Sequence, residues 1–274
     1  LVLVFGAACL CAATLSCSLP PLSLYLCVCV CVCVSKAVMS TVRRTYVRAF
    51  ACADGAGHGR IKRALVEEGW VEEDAAEASA AADQAGDSGT MTLYIRAFFL
   101  AAAGGHTSIM RALVEEGGVE AGSRSEDGYT ALAVAAEYGR MEAARMLLTE
   151  WGADVNQLAA DGAGEEATAL FVSALLGRTD MARMLAVEFG ADVNKGLSDT
   201  GCTPLHMAAA MGDAQIARML VLEGGADVNQ ARTVDGCTPL FMAAHNGHID
   251  IARMLVLEGG ADVNRGRTDH GITP

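Results

Sequence analysis

Six arginines and six glutamates recur at fixed steps, and their spacing could do chemistry. Arg63, Arg111, Arg145, Arg183, Arg218 and Arg253 each fall six residues after a glycine. Glu68, Glu116, Glu150, Glu188, Glu223 and Glu258 each follow five residues later. A ladder of guanidinium groups could hold phosphate. A carboxylate on every rung makes a solvated, mixed-charge face the better reading. His245 and His248 stand three apart with Asp250 nearby. A metal site there needs further ligands at fixed geometry, so the expected role is structural and no metal is assigned. Cys202 and Cys237 stand 35 residues apart in equivalent surroundings. Stacked helices lie about 8–10 Å apart, beyond the roughly 4.4–6.8 Å that a disulfide spans between Cα atoms. Both thiols are therefore expected to be reduced and to sit on loop tips. No nucleophile–base pair recurs, and no P-loop, HExxH or CxxC motif is present. The chain reads as non-enzymatic, with no cofactor and no small-molecule substrate.

The elements that position these residues must suit a chain of 274 residues, of which 52% are hydrophobic, 19% charged and 5% aromatic, with net charge −13. So much apolar material excludes a fully disordered chain. The acidic balance argues against nucleic acid or an anionic membrane surface as the main partner. The composition is uneven. Residues 1–35 carry no charge and hold seven of the ten cysteines. Three readings of residues 1–38 stand side by side. The Cys-Val alternation over Cys27–Val34 is what a GT dinucleotide repeat encodes, so the segment reads as translated non-coding sequence with Met39 as the start. As a membrane span it approaches the required ~20 apolar residues, and Lys36, Arg43, Arg44 and Arg48 would leave the remainder cytoplasmic. As a signal peptide it lacks a basic start. Residues 71–90 are acidic, small and without a base, and are expected to be a disordered insert.

Self-similarity organises the rest. Gly-Ala-Asp-Val-Asn occurs at 152–156, 190–194, 225–229 and 260–264, at offsets of 38, 35 and 35. The repeats at Gly201–Gln230 and Gly236–Arg265 are nearly identical. In the first, Thr203 is placed to cap a helix with Pro204 in its opening turn. Leu205, Met207, Ala208 and Ala209 give a short helix with a small-residue face, and Gly212 ends it. Asp213 is placed to cap a second helix, on which Ile216, Met219 and Leu220 recur at helical spacing. Gly224 and Gly225 stop that helix, and Asp227 and Asn229 form a turn. The unit is helix, turn, helix, extended loop.

The frame Thr203-Pro204-Leu205-His206, Ala208-Ala209, Gly212 and Gly225–Asn229 resembles the ankyrin repeat. Thr238, Pro239, Leu240 and Gly247 repeat it. Weaker copies around Gly57, Gly105, Gly139 and Gly177 bring the total to six units, and Thr273-Pro274 opens a seventh. That unfinished unit predicts that the chain continues past Pro274. The resemblance implies an all-α ankyrin-repeat solenoid. It divides the chain into an apolar segment 1–38, a degenerate first repeat 39–70, the insert 71–90 and the main array 91–274. The period of 35, two longer than the family's usual 33, predicts longer hairpin tips.

The resemblance implies a scaffold that binds a protein through its hairpin tips and the concave ends of its first helices. The repeats differ most there, while the frame stays nearly constant; drift at exposed positions would give the same contrast. The candidate contact residues are Tyr129, Glu137, Tyr138, Lys195, Ser198, Asp199, Cys202, Ala210, Met211, Arg232, Val234, Cys237, His245, Asn246, Arg267 and His270. His206 is expected to be a structural hydrogen-bonder. Asn156, Asn194, Asn229 and Asn264 occupy the turn at which ankyrin proteins can be hydroxylated. The expected location is the cytoplasm. The alternatives are a regulatory or targeting arm of a larger enzyme or channel, and an adaptor tethered to a membrane by residues 1–34.

Overall fold

The computed structural model describes residues 41–53, 56–71, 87–160 and 166–265. The chain forms two compact units, dividing between Ser125 and Glu126. In the first, residues 41–53 form helix α1, followed by α2 (Gly59–Glu67), α3 (Asp87–Gly104) and α4 (Thr107–Glu115). The apolar residues of α2 and α4 recur on one face, so Ile61, Ala64 and Leu65 are buried on one and Ile109, Met110, Ala112 and Leu113 on the other. These two helices pack together, and α3 packs on α4. Helix α3 begins inside the stretch expected to be an insert, and Val71 at that stretch's other end is buried. Residues 72–86 lie outside the described residues.

The second unit repeats a helical hairpin. Its elements are α5 (Ala131–Glu137), α6 (Met141–Thr149), α7 (Ala169–Leu175), α8 (Thr179–Arg183), α9 (Pro204–Met211), α10 (Ala214–Leu222), α11 (Pro239–His245) and α12 (Ile249–Leu257). The first helices α5, α7, α9 and α11 pack in sequence, and α8, α10 and α12 form a second layer. Alanines at 135, 136, 174, 208, 209 and 243 make the close approach affordable, because nothing beyond a methyl group stands between neighbouring helices; all six are buried. Two strands, β1 (Ala159–Ala160) and β2 (Glu166–Ala167), pair antiparallel in the longer loop before α7.

Each second helix stops in the same way. The N–H groups of Ala153, Ala191, Ala226 and Ala261 bond back to the carbonyls of Leu147, Leu185, Leu220 and Leu255, all at 2.9 Å. That closure needs a left-handed residue just before it, and Gly152, Gly190, Gly225 and Gly260 supply it with φ of +62° to +71°. After α8 the helix continues as a π-helical turn, Met184–Glu188, closed by Phe189 N–H on the Met184 carbonyl at 3.1 Å. Gly224 and Gly259 make the same five-residue bond, to the Met219 and Met254 carbonyls.

Candidate interaction surface

Each first helix of the second unit opens on a threonine hydroxyl. Thr130, Thr168, Thr203 and Thr238 are buried and accept from the N–H three residues on. Pro204 and Pro239 fill the first turn, where no N–H is needed. Asp213 caps α10 through Ile216 N–H at 3.0 Å. His206 is fully buried and carries its proton on Nε2, which donates to the Cys237 carbonyl of the next repeat at 3.0 Å. Its Nδ1 accepts from Thr203 N–H at 3.2 Å. Burial pushes its pKa down to about 4.

The repeats are stitched along two seams. In the turn, the side-chain carbonyls of Asn156, Asn194 and Asn229 accept the N–H of Asp192, Asp227 and Asp262, each at 2.8 Å. Each asparagine N–H in turn donates to the aspartate two residues before it. Lys195, Gln230 and Arg265 donate to the backbone carbonyls of Asn156, Asn194 and Asn229. On the second helices, Arg145 pairs with Glu188 at 2.8 Å, Arg183 with Glu223, and Arg218 with Glu258 at 2.7 Å. The expected mixed-charge face is present, with each arginine reaching forward to the glutamate of the following repeat. The first unit has its own version: Arg60 pairs with Glu115 and Glu116, and Glu68 accepts from Ser108 at 2.6 Å and meets His106 at 2.9 Å.

The hairpin tips follow from local bonding. Leu197 N–H bonds the Cys202 carbonyl at 3.0 Å, and Arg232 N–H bonds that of Cys237 at 2.9 Å. Neighbouring tips join through Thr233 N–H to the Thr200 carbonyl at 2.9 Å. Ser198 and Asp199 are exposed, and Val234 is 58% exposed. Lys195 is committed to its seam, and Arg232 sits in an ion pair with Asp235 at 3.5 Å. Tyr129 and Ala210 are half-buried. At the inner helix ends Tyr138, Met211, His245 and Asn246 are exposed. His245 stacks on Phe241 with ring centroids 5.9 Å apart. Glu137 is half-buried, and burial pushes its carboxyl up to about 7 against the opposing influence of Arg178.

Two candidate contact residues require correction. Cys202 and Cys237 are not disulfide-bonded, but they are buried, at 5% and 2% exposure. The hairpin strands return into the core at these positions, so a partner cannot reach them. Arg267 and His270 lie outside the described residues. His248 Nε2 lies 3.1 Å from the Ala210 carbonyl of the preceding repeat, at the electronegative end of α9. Arg178 Nε approaches the Glu137 carbonyl in the same way at 3.4 Å. Among the described residues no group of three His, Cys, Asp or Glu side chains is placed to hold a metal ion. No described helix is long and apolar enough to cross a membrane, and the candidate anchor 1–34 lies outside the described residues.

Capped alanine-rich helix pairs, positive-φ turn glycines and an Asp-Val-Asn seam define a helical repeat array. A family model described as ankyrin repeats (3 copies) matches residues 50–159, 98–197, 158–232 and 195–267. The chain belongs to the ankyrin-repeat family, whose repeats generally mediate protein–protein interaction and are typically non-enzymatic. No curated protein matches the chain.

Proposed function

We propose that this protein is a non-enzymatic scaffold that binds a protein partner through the second unit's hairpin tips and inner helix ends. One observation carries the reading. Tyr138, Met211, His245 and Asn246 are exposed at equivalent helix ends and differ in chemistry, whereas the caps and alanines behind them are buried and repeat. A fixed frame that presents varied side chains is suited to selecting a partner. We place it in the reducing cytoplasm, where the buried thiols of Cys52, Cys202 and Cys237 would persist. A photo-crosslinking residue placed at Met211, with the exposed Glu120 of the first unit as control, tests the surface in cells. Protein adducts formed at 211 and absent at 120 are expected. Adducts at neither position, or equally at both, would count against it.

A further inference from the structure

We propose that the outer face of the second unit carries another docking surface, which takes a basic amphipathic helix from a partner chain. Val187, Leu222 and Leu257 occupy one position in three successive repeats and are 47%, 49% and 75% exposed. Val187 and Leu222 have a folded repeat on each side, so the end of the described array does not cause their exposure. Packing does not demand an apolar residue there either. The same position is Glu67 and Glu115 in the first unit and Thr149 in the first repeat of the second, all exposed. The fold accepts charged and polar groups at this site, yet three consecutive repeats present aliphatic side chains to water.

Spacing and charge select the occupant. Stacked helices stand about 8–10 Å apart, which sets the rise from one aliphatic side chain to the next. Residues seven apart on an α-helix share a face and are separated by about 10.5 Å along its axis. A helix laid across the repeats can therefore seat one apolar side chain on each. The arginines beside the row are largely neutralised, since Arg145, Arg183 and Arg218 pair with Glu188, Glu223 and Glu258. Seven residues before Val187, Leu222 and Leu257, on the same helix faces, stand Asp180, Gln215 and Asp250, two acids and an amide with no base among them. Lysines and arginines flanking the partner's apolar row would meet this field, while an anionic lipid surface or nucleic acid would be repelled.

The test uses the full chain and a fluorescein-labelled peptide of about three heptads, with leucine at every seventh position in an alanine–lysine background. A control peptide of the same composition spreads its leucines around the helix. Fluorescence anisotropy at physiological salt should show the patterned peptide binding at least tenfold more tightly than the control. Changing Val187, Leu222 and Leu257 together to Thr, the residue found at 149, should abolish that difference, and Leu222→Thr alone should reduce it severalfold. Met211→Thr should leave it unchanged. Equal binding of both peptides, indifference to the row substitutions, or sensitivity to Met211→Thr would each overturn the proposal. Capture of the chain by phosphatidylcholine vesicles through this row, without preference for the patterned peptide, would overturn it too. The inner surface proposed above is probed separately at Met211, so either reading can fail alone.

Discussion

The guanidinium of Arg218 closes on Glu258 of the following repeat through two contacts, Nη1 to Oε1 at 2.8 Å and Nη2 to Oε2 at 2.7 Å, and not on Glu223 of its own. Both groups face solvent, with side-chain exposures of 58% and 36%. Water screens such pairs, even when they are bidentate. A double-mutant cycle of Arg218→Ala and Glu258→Ala in urea unfolding should give a coupling of about 0.5–1 kcal/mol. A coupling above about 2 kcal/mol would mean that the outer seam holds the array together, which this exposure does not support.

The inner seam should matter more. Asn194→Ala removes the acceptor that Asp227 N–H uses at 2.8 Å. The expected destabilisation is about 0.5–1.5 kcal/mol, because the exposed Asp227 donor exchanges its protein acceptor for water. Asn194→Asp restores an acceptor, and should recover most of the loss. Equal losses for both variants in urea unfolding would show that the asparagine acts by shape alone.

His206 should make the array sensitive to acid. Its pKa is about 4 when folded and near the ordinary 6.5 when unfolded. The unfolded chain therefore takes up the proton first as pH falls. The stability His206 contributes is complete above pH 6.5 and is lost between 6.5 and 4, to a total of about 3 kcal/mol at 1.36 kcal/mol per unit. His206→Phe, which copies Phe241 of the next repeat, should lower stability at pH 7 and flatten this slope. Unfolding midpoints at pH 7 and 5 measure both effects.

Glu137 should act in the opposite direction. Its folded pKa of about 7 lies above the ordinary 4.5. The folded state holds the proton longer, so stability is complete below pH 4.5 and declines as pH rises through 7. Glu137→Gln should gain about 2 kcal/mol at pH 8 and little at pH 4. Thermal unfolding of the two proteins across that range would show curves that separate as pH rises; parallel curves would remove the carboxyl from this account.

Much of the frame was legible in the sequence because each signal is local. Thr203, Pro204, Gly212 and Asp213 act within a few residues of themselves, so their spacing announces caps and stops. The seams were less legible because they join residues 33 to 43 apart, as between Asn194 and Asp227 or Arg145 and Glu188. The five-residue step from each arginine to a glutamate predicts a mixed-charge face, but it does not say which glutamate each arginine meets. Cys202 and Cys237 read as tip residues because the positions just before them differ between repeats. Their own invariance was the contrary signal, since both repeats carry cysteine immediately before the capping threonine. In the first unit, the Glu68–His106–Ser108 cluster was signalled only by a histidine after each turn glycine, at His58 and His106.

The Asn–Asp bond and the Arg–Glu pair recur at successive seams, so a repeat meets its predecessor and its successor with the same chemistry. Excising residues 201–235 in frame would bring Asp262 to Asn194 and Glu258 to Arg183, the registers that Asp227 and Glu223 now occupy. Inserting a copy would do the reverse. The array can thus change length by whole units without redesigning any junction, and its reach across a partner can evolve independently of its fold.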